Sequence, residues 1–137
     1  MYKKVLPVAI VTLLLFGCAP QPATAITVTM TDFAYSPSTV TVPAGQPVVL
    51  TIKNDGQIEH DFVVEKINVT SVSVEGSGVG GHHMSGDHID YDLHVSTSAG
   101  GTSILKFSAD EPGTYRIFCS IAGHIEAGML GELIVAE

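Results

Sequence analysis

The residues best suited to chemistry form one short series near the C-terminus, Cys119, His124 and Met129, separated as Cys-x4-His-x4-Met. A thiolate, an imidazole and a thioether are soft or borderline metal ligands. Two His and one Cys in a trigonal set, with a long axial Met, make a mononuclear copper site of the blue type. This segment therefore supplies three of the four ligands and leaves one His to be found.

His60 is the best candidate for the remaining ligand. It follows a turn signal and opens the apolar run 62–64, so a rigid strand can fix its ring. A β-sandwich brings strands that are distant in sequence into contact, and the separation from Cys119 is therefore no obstacle.

Each of these residues also has an ordinary interpretation. Cys119 could be a buried strand residue, Met129 a core filler and His124 a surface loop residue. Their combination on one glycine-containing loop favours copper instead. A single thiolate with Met is a poor structural zinc site, because such sites use several Cys and His.

The elements that must position these residues are strands. Apolar residues alternate with threonines from residue 26 onward, as half-buried strands require, and no segment has a convincing helical period. The pattern predicts an all-β, Greek-key antiparallel sandwich of about eight strands over residues 26–137. The predicted strands are 26–31, 38–42, 48–53, 60–65, 67–74, 92–97, 103–107, 114–119 and 132–135.

The N-terminus has the pattern of a targeting segment. Lys3 and Lys4 precede an apolar stretch at residues 5–16, and the stretch ends in Gly17-Cys18. This end resembles a bacterial lipobox, in which the Cys is lipidated and becomes the mature N-terminus. We expect a lipoprotein-type signal peptide at residues 1–17, a lipid on Cys18 and a tether at 18–25. The alternative is cleavage after Ala25 and release of the protein.

Composition excludes some functions. The 137 residues carry a formal net charge of -8, so no basic surface is available for nucleic acid. Of the two cysteines, Cys18 falls in the targeting segment, and the folded part holds one thiol and no disulfide.

The stretch 76–90 is rich in Gly, His and Asp and has no strand period, which predicts a surface loop. Its metal-binding side chains could form a secondary copper site, or they could bind metal only adventitiously. We favour the second interpretation, because an irregular loop must be ordered before it can chelate a metal. The side chains are His82, His83, Met84 and His88. His94, on a later strand, is expected at the surface or in a hydrogen bond.

With these residues in place, the chain from residue 26 onward resembles the cupredoxins. The Cys-x4-His-x4-Met spacing is most similar to that of auracyanin and rusticyanin, and the series Pro37, Val40, Val42, Gly45 and Val48 matches the family's first half. The resemblance implies one type 1 copper ion with His60, Cys119, His124 and Met129 as its ligands.

One residue departs from the family pattern. Asp61 stands where many cupredoxins have an Asn that ties the two ligand loops together. Its carboxylate could accept a hydrogen bond from Ser120 and preserve the tie, or it could point to solvent. A buried negative charge at this position would favour Cu(II).

The resemblance implies an electron carrier rather than an enzyme, because additional His-x-His ligands for a multicopper site are absent from the sequence. We expect a monomer that exchanges electrons with redox protein partners at a membrane, outside the cytoplasm. The alternative is a periplasmic copper chaperone or storage protein that uses the His/Met-rich loop. Small or apolar residues flank His124 and predict a docking patch: Ile121, Ala122, Ile125, Ala127 and Leu130.

Overall fold

The computed structural model describes residues 21–77 and 91–137, which form ten strands. They are β1 Thr24–Thr31, β2 Ala34–Ser36, β3 Thr39–Pro43, β4 Pro47–Asn54, β5 His60–Val64, β6 Val69–Gly76, β7 Leu93–Thr97, β8 Thr102–Ala109, β9 Gly113–Phe118 and β10 Leu130–Ala136. No helix in the described ranges is long and apolar enough to cross a membrane.

The strands form two five-stranded sheets, in the orders β2-β1-β4-β8-β6 and β3-β10-β9-β5-β7. This confirms the predicted all-β sandwich. The described residues contain ten strands where the pattern predicted about eight, and β1 pairs with β4 and β3 with β10 in parallel within the otherwise antiparallel sandwich. Apolar and polar residues alternate in the same way in parallel and in antiparallel strands, so the sequence pattern could not distinguish the two pairings.

The core lies between the sheets and is built from the alternating apolar positions of the strands. In β4, for example, Val48, Leu50 and Ile52 are buried while the residues between them are partly exposed. Strand β5 differs, since all five of its residues are buried. It lies between β7 and β9, and its first residue, His60, is therefore held by a fully packed strand.

The topology brings the sequence-distant metal-binding residues to one end of the sandwich. Val63 of β5 pairs with Phe118, the last residue of β9, in antiparallel register. His60 lies three positions before Val63, beyond the end of β9, and Cys119 immediately follows that end. The loop from Cys119 to Met129 then leads into β10, the neighbour of β9 on its other side.

Tyr35 connects β2 to the opposite sheet. Its hydroxyl donates a hydrogen bond of 2.5 Å to the backbone carbonyl of Asp61, and its ring packs edge-to-face against Phe62 at 6.0 Å. Burial raises the pKa of the Tyr35 phenol well above its usual value of 10.0, and the nearby Cys119 and Asp61 raise it further. The phenol therefore keeps its proton in the folded protein.

A raised pKa means that Tyr35 stabilises the fold fully below pH 10.0 and that this contribution is lost as the pH rises above it, because only the unfolded chain releases the proton. We expect the free energy of unfolding of the Tyr35→Phe variant to fall less steeply above pH 10 than that of the wild type. The difference in slope should approach about 1.4 kcal/mol per pH unit. Guanidinium unfolding of the metal-free proteins between pH 8 and 11 measures both slopes, and parallel slopes would contradict the prediction.

Candidate metal centre

Three buried donor side chains converge at the end of the sandwich. The ligand atoms of His60, Cys119 and His124 all lie within 4.8 Å of one another. Nδ1 of His124 is 3.2 Å from Nδ1 of His60 and 3.2 Å from Sγ of Cys119. Two imidazole nitrogens and a sulfur aimed at one buried point form a donor set that suits a soft or borderline metal ion.

The approach to His60 is fixed by a buried amide. Asn54, the last residue of β4, donates hydrogen bonds of 2.8 Å from Nδ2 to the carbonyls of Ile58 and Thr97. Its Oδ1 accepts a hydrogen bond of 2.9 Å from the backbone N–H of Gly56. The segment between Asn54 and His60 is thereby held at both ends, which restricts where the imidazole can lie.

The loop from Cys119 to Met129 is a series of tight turns. The backbone N–H of His124 donates to Ile121 O at 3.1 Å, and the N–H of Met129 donates to His124 O at 2.9 Å. Gly123 and Gly128 have φ of 86° and 98°, which L side chains rarely adopt. Met129 is fully buried and directly precedes β10, so the loop brings the thioether into the same end of the core.

Asp61 joins the two segments that carry the donors. Its backbone N–H donates to Cys119 Sγ at 3.3 Å, and its carboxylate accepts hydrogen bonds from the Ser120 hydroxyl and, at 2.8 Å, from the Ser96 hydroxyl. His94 Nε2 lies 3.5 Å from the same carboxylate. The hydrogen bond from Ser120 is thus present, and the alternative that Asp61 faces solvent is wrong, because the residue is only 5% exposed.

Burial and these contacts set the protonation of the site. Burial acts to raise the pKa of Asp61, but hydrogen bonds from His94, Ser120 and Ser96 outweigh it, and the pKa is lowered. Burial raises the pKa of the Cys119 thiol, which favours its neutral form. Burial, followed by the neighbouring His60, lowers the pKa of His124 and keeps a lone pair available for coordination. Binding of a metal must therefore displace the thiol proton.

The predicted flanks of His124 divide between surface and core. Ala122 and Ala127 are exposed, Leu130 is 40% exposed and Ile125 is partly buried, whereas Ile121 packs against the core cluster. His94 is at the surface and contacts Asp61, in agreement with the expectation. The predicted lipidation site Cys18, the targeting segment at 1–17 and the loop residues His82, His83, Met84 and His88 lie outside the described residues.

The sequence did not identify Asp32 and Phe33 as part of this site. Asp32 Oδ1 lies 3.2 Å from His60 Nε2, and the Phe33 ring packs edge-on against His124, with centroids 5.1 Å apart. Both residues follow β1, far from the His60 and Cys119 segments in sequence. The local sequence carries no signal for these contacts, since they arise only when β1 lies beside the ligand loops.

Comparison with known proteins identifies the class. A family model described as a cupredoxin-like domain matches residues 5–79. The chain is also 31% identical over 122 residues to the copper-resistant cuproprotein CopI of Rubrivivax gelatinosus, covering 87% of this chain and 70% of that protein. The chain therefore belongs to the cupredoxin family, as its motifs predicted, and the family and the donor cluster together support copper as the metal.

Auracyanins are further relatives. Auracyanin-A of Chloroflexus aurantiacus is 24% identical over 112 residues, covering 76% of this chain and 68% of that protein. The solved structure of dithionite-reduced auracyanin from Roseiflexus castenholzii superposes with a TM-score of 0.62 at 24% identity, covering 83% of this chain and 98% of that chain. The latter likeness shows that the sandwich has the same fold.

The Asp61 carboxylate should be important for the stability of the metal-free protein. We expect Asp61→Ala to lower the free energy of unfolding by about 3 kcal/mol, because two serine hydroxyls and His94 lose their acceptor in a buried place. Guanidinium unfolding measures the change. Asp110→Ala, at an exposed aspartate outside this network, is the control and should change stability by less than about 0.5 kcal/mol. Equal effects of the two substitutions would contradict the prediction.

Proposed function

We propose that His60, Cys119, His124 and Met129 bind one copper ion and that the protein carries single electrons between redox proteins at a membrane, outside the cytoplasm. The observation that carries this proposal is the convergence of the His60, Cys119 and His124 donor atoms within 4.8 Å at a buried point. Met129, buried at the end of the same loop, supplies the thioether.

The donor set favours a redox-active metal. Two imidazoles, one thiolate and a thioether suit the blue-copper type of site, whereas structural zinc sites use several Cys and His. Copper bound here would supply a one-electron Cu(II)/Cu(I) couple. The protein's contribution is to hold the two imidazoles and the thiolate in place whatever the oxidation state of the metal.

The surroundings of the donors support transfer rather than catalysis. Strand β5 fixes His60, the turns of the loop fix His124, and Asp61 holds the Cys119 sulfur through its N–H. Donors that are already in place need little rearrangement when the charge at the site changes, which favours fast exchange. Four protein ligands also leave no ready position for a substrate, and we therefore propose no enzymatic activity.

Electrons would enter and leave at the face above His124. The imidazole is 6% exposed, the exposed Phe33 ring packs against it, and the partly buried Ile125 follows it in the chain. Weak redox encounters use small interfaces of this kind, from which a partner can leave quickly. The protein would meet its redox partner as a monomer, with this face toward the partner.

The N-terminal pattern supports a location outside the cytoplasm. Removal of residues 1–17 would take away Lys3 and Lys4, leaving four basic and fourteen acidic residues and a formal charge of -10 (4 minus 14). A lipid on Cys18 would keep the acidic domain at the outer face of a membrane. We propose this lipid-anchored, extracytoplasmic location for the carrier.

A second candidate is copper binding for resistance. It is favoured by the 31% identity to a protein named as a copper-resistant cuproprotein. In this function the protein would store copper or pass it on, with His82, His83, Met84 and His88 as the sequence-based candidates for transfer. The two functions share the buried site and differ in whether copper leaves it.

The first test is the visible absorption spectrum of the purified protein after addition of Cu(II). We expect an intense band from thiolate-to-copper charge transfer that disappears in Cys119→Ala, because Cys119 is the one thiol among the proposed ligands. The triple variant with alanine at His82, His83 and His88 should keep the band. A colourless protein that binds Cu(II) only through those three histidines would overturn the carrier proposal and favour storage.

The docking face can be tested without knowing the partner. We expect Ile125→Asp to slow electron self-exchange, measured by NMR line broadening in mixtures of the oxidised and reduced protein, on the order of tenfold, because two like charges meet at the contact. The visible band should be unchanged. Thr70→Asp adds the same charge to exposed β6 in the other sheet and should have a much smaller effect. Equal slowing by both variants would place the docking face elsewhere.

A further inference from the structure

The turn between β1 and β2 lies against the metal-binding imidazoles. Thr31 and Ala34 are paired across the hairpin, so Asp32 and Phe33 alone form the turn. Neither residue is one of the proposed ligands. Both contact His60: Asp32 through its carboxylate, and Phe33 through its ring at a centroid distance of 6.2 Å.

The carboxylate of Asp32 is fixed in this position. Its Oδ1 accepts a hydrogen bond of 2.9 Å from the Gln57 backbone N–H and lies 3.2 Å from His60 Nε2. The Asp32 side chain is 40% exposed, so its carboxylate is in the ordinary ionised form at neutral pH. An ionised carboxylate can only accept, and therefore His60 Nε2 must be the donor.

Gly56 leaves the space that this contact needs. A Cβ at position 56 would lie 2.5 Å from Asp32 Oδ1 and 3.1 Å from His60 Nε2. The first distance is shorter than real Cβ contacts and the second is tighter than most, and the same Cβ would lie 3.0 Å from Asn54 Oδ1. A side chain here would therefore push the Asp32 carboxylate away from the ring. The Gly56 N–H bond to Asn54 further holds this backbone beside His60.

Phe33 holds the turn against the metal-binding imidazoles, although its own backbone conformation is unfavourable. Its φ is 68°, which is rare for a bulky residue and costs on the order of 1 kcal/mol or more. The ring packs edge-on against both imidazoles, with interplanar angles of 89° to His124 and 80° to His60. These contacts compensate for the strained backbone and hold Asp32 next to His60.

We propose that Asp32 is a positioning residue for the metal centre, which it controls through His60. By accepting the Nε2–H, it fixes the tautomer in which the His60 Nδ1 lone pair faces Cys119 Sγ and His124 Nδ1. Carboxylate–histidine pairs of this kind orient metal ligands and raise their basicity. The negative charge also favours Cu(II) over Cu(I). The effect on copper rests on the proposed function, whereas the effect on the tautomer does not.

The tautomer is tested first, in the full-length metal-free protein. Long-range ¹H–¹⁵N NMR of the imidazoles should show His60 protonated at Nε2 in the wild type and in Asp32→Asn, whose amide oxygen still accepts. Asp32→Ala, which lacks the acceptor, and Gly56→Ala, which displaces it, should show a mixture of tautomers. Retention of the Nε2–H tautomer in Asp32→Ala would overturn the proposal.

Measurements on the copper-loaded protein distinguish the effect of the Asp32 hydrogen bond from the effect of its negative charge. We expect Asp32→Ala and Gly56→Ala each to weaken Cu(II) binding by about 10- to 100-fold. The loss in the double variant should be smaller than the sum of the two single losses in binding free energy, because both substitutions remove the same contact with His60. The reduction potential should rise in Asp32→Asn and Asp32→Ala, which lose the charge, and change less in Gly56→Ala. Asp55→Asn removes an exposed charge next to Gly56 without touching His60 and is the matched control.

The outcomes distinguish the two proposals. If Asp32→Ala and Asp55→Asn have the same Cu(II) affinity and potential, Asp32 forms only a surface ion pair and the positioning role is wrong. If the wild type gives no thiolate-to-copper band, the proposed copper site fails, and the NMR result then decides the positioning of His60 independently.

Discussion

The hydrogen bonds of Asp61 are the interaction on which the rest of the site depends. His60 opens β5 and Cys119 follows β9, and only one residue pair, Val63 with Phe118, joins these strands in register. Asp61 bridges them beyond that pair, through its N–H to the Cys119 sulfur and its carboxylate to Ser120. An ionised carboxylate in this buried place is stable because three neighbouring groups contact it.

Burial then defines the chemical character of the donors. The Cys119 thiol and the His124 imidazole are both shifted toward their neutral forms, since the interior penalises charge. A metal cation must displace the thiol proton, but it finds the imidazole lone pair already available. The rigid sheet beneath and the glycine turns of the loop keep these donors in position, and this is the property that a carrier of single electrons requires.

The same buried centre can serve electron transfer or copper resistance, because both begin with tight binding by the same donors. What differs is the surface. The proposed electron transfer needs a surface near Phe33 for brief contact with another protein, whereas release of copper would require the donors to open. The chain is related both to a protein named as a copper-resistant cuproprotein and to auracyanin-A, which fits a centre that the two proposed functions share.

The sequence by itself determined the sandwich and predicted most of the donor set, because both are encoded locally: strand alternation has a period of two, and Cys119, His124 and Met129 lie on one loop. The short β2, the parallel pairings and the orientation of Asp61 were decided only by the tertiary structure. Alternation is insensitive to strand direction, and a three-residue strand is too short to show a period. The contact of Asp32 with His60 joins residues 28 positions apart, and it exists because β1 lies beside the loop that Asn54 and Gly56 hold in place. Such a contact depends on where two separate segments meet, and no local pattern records that.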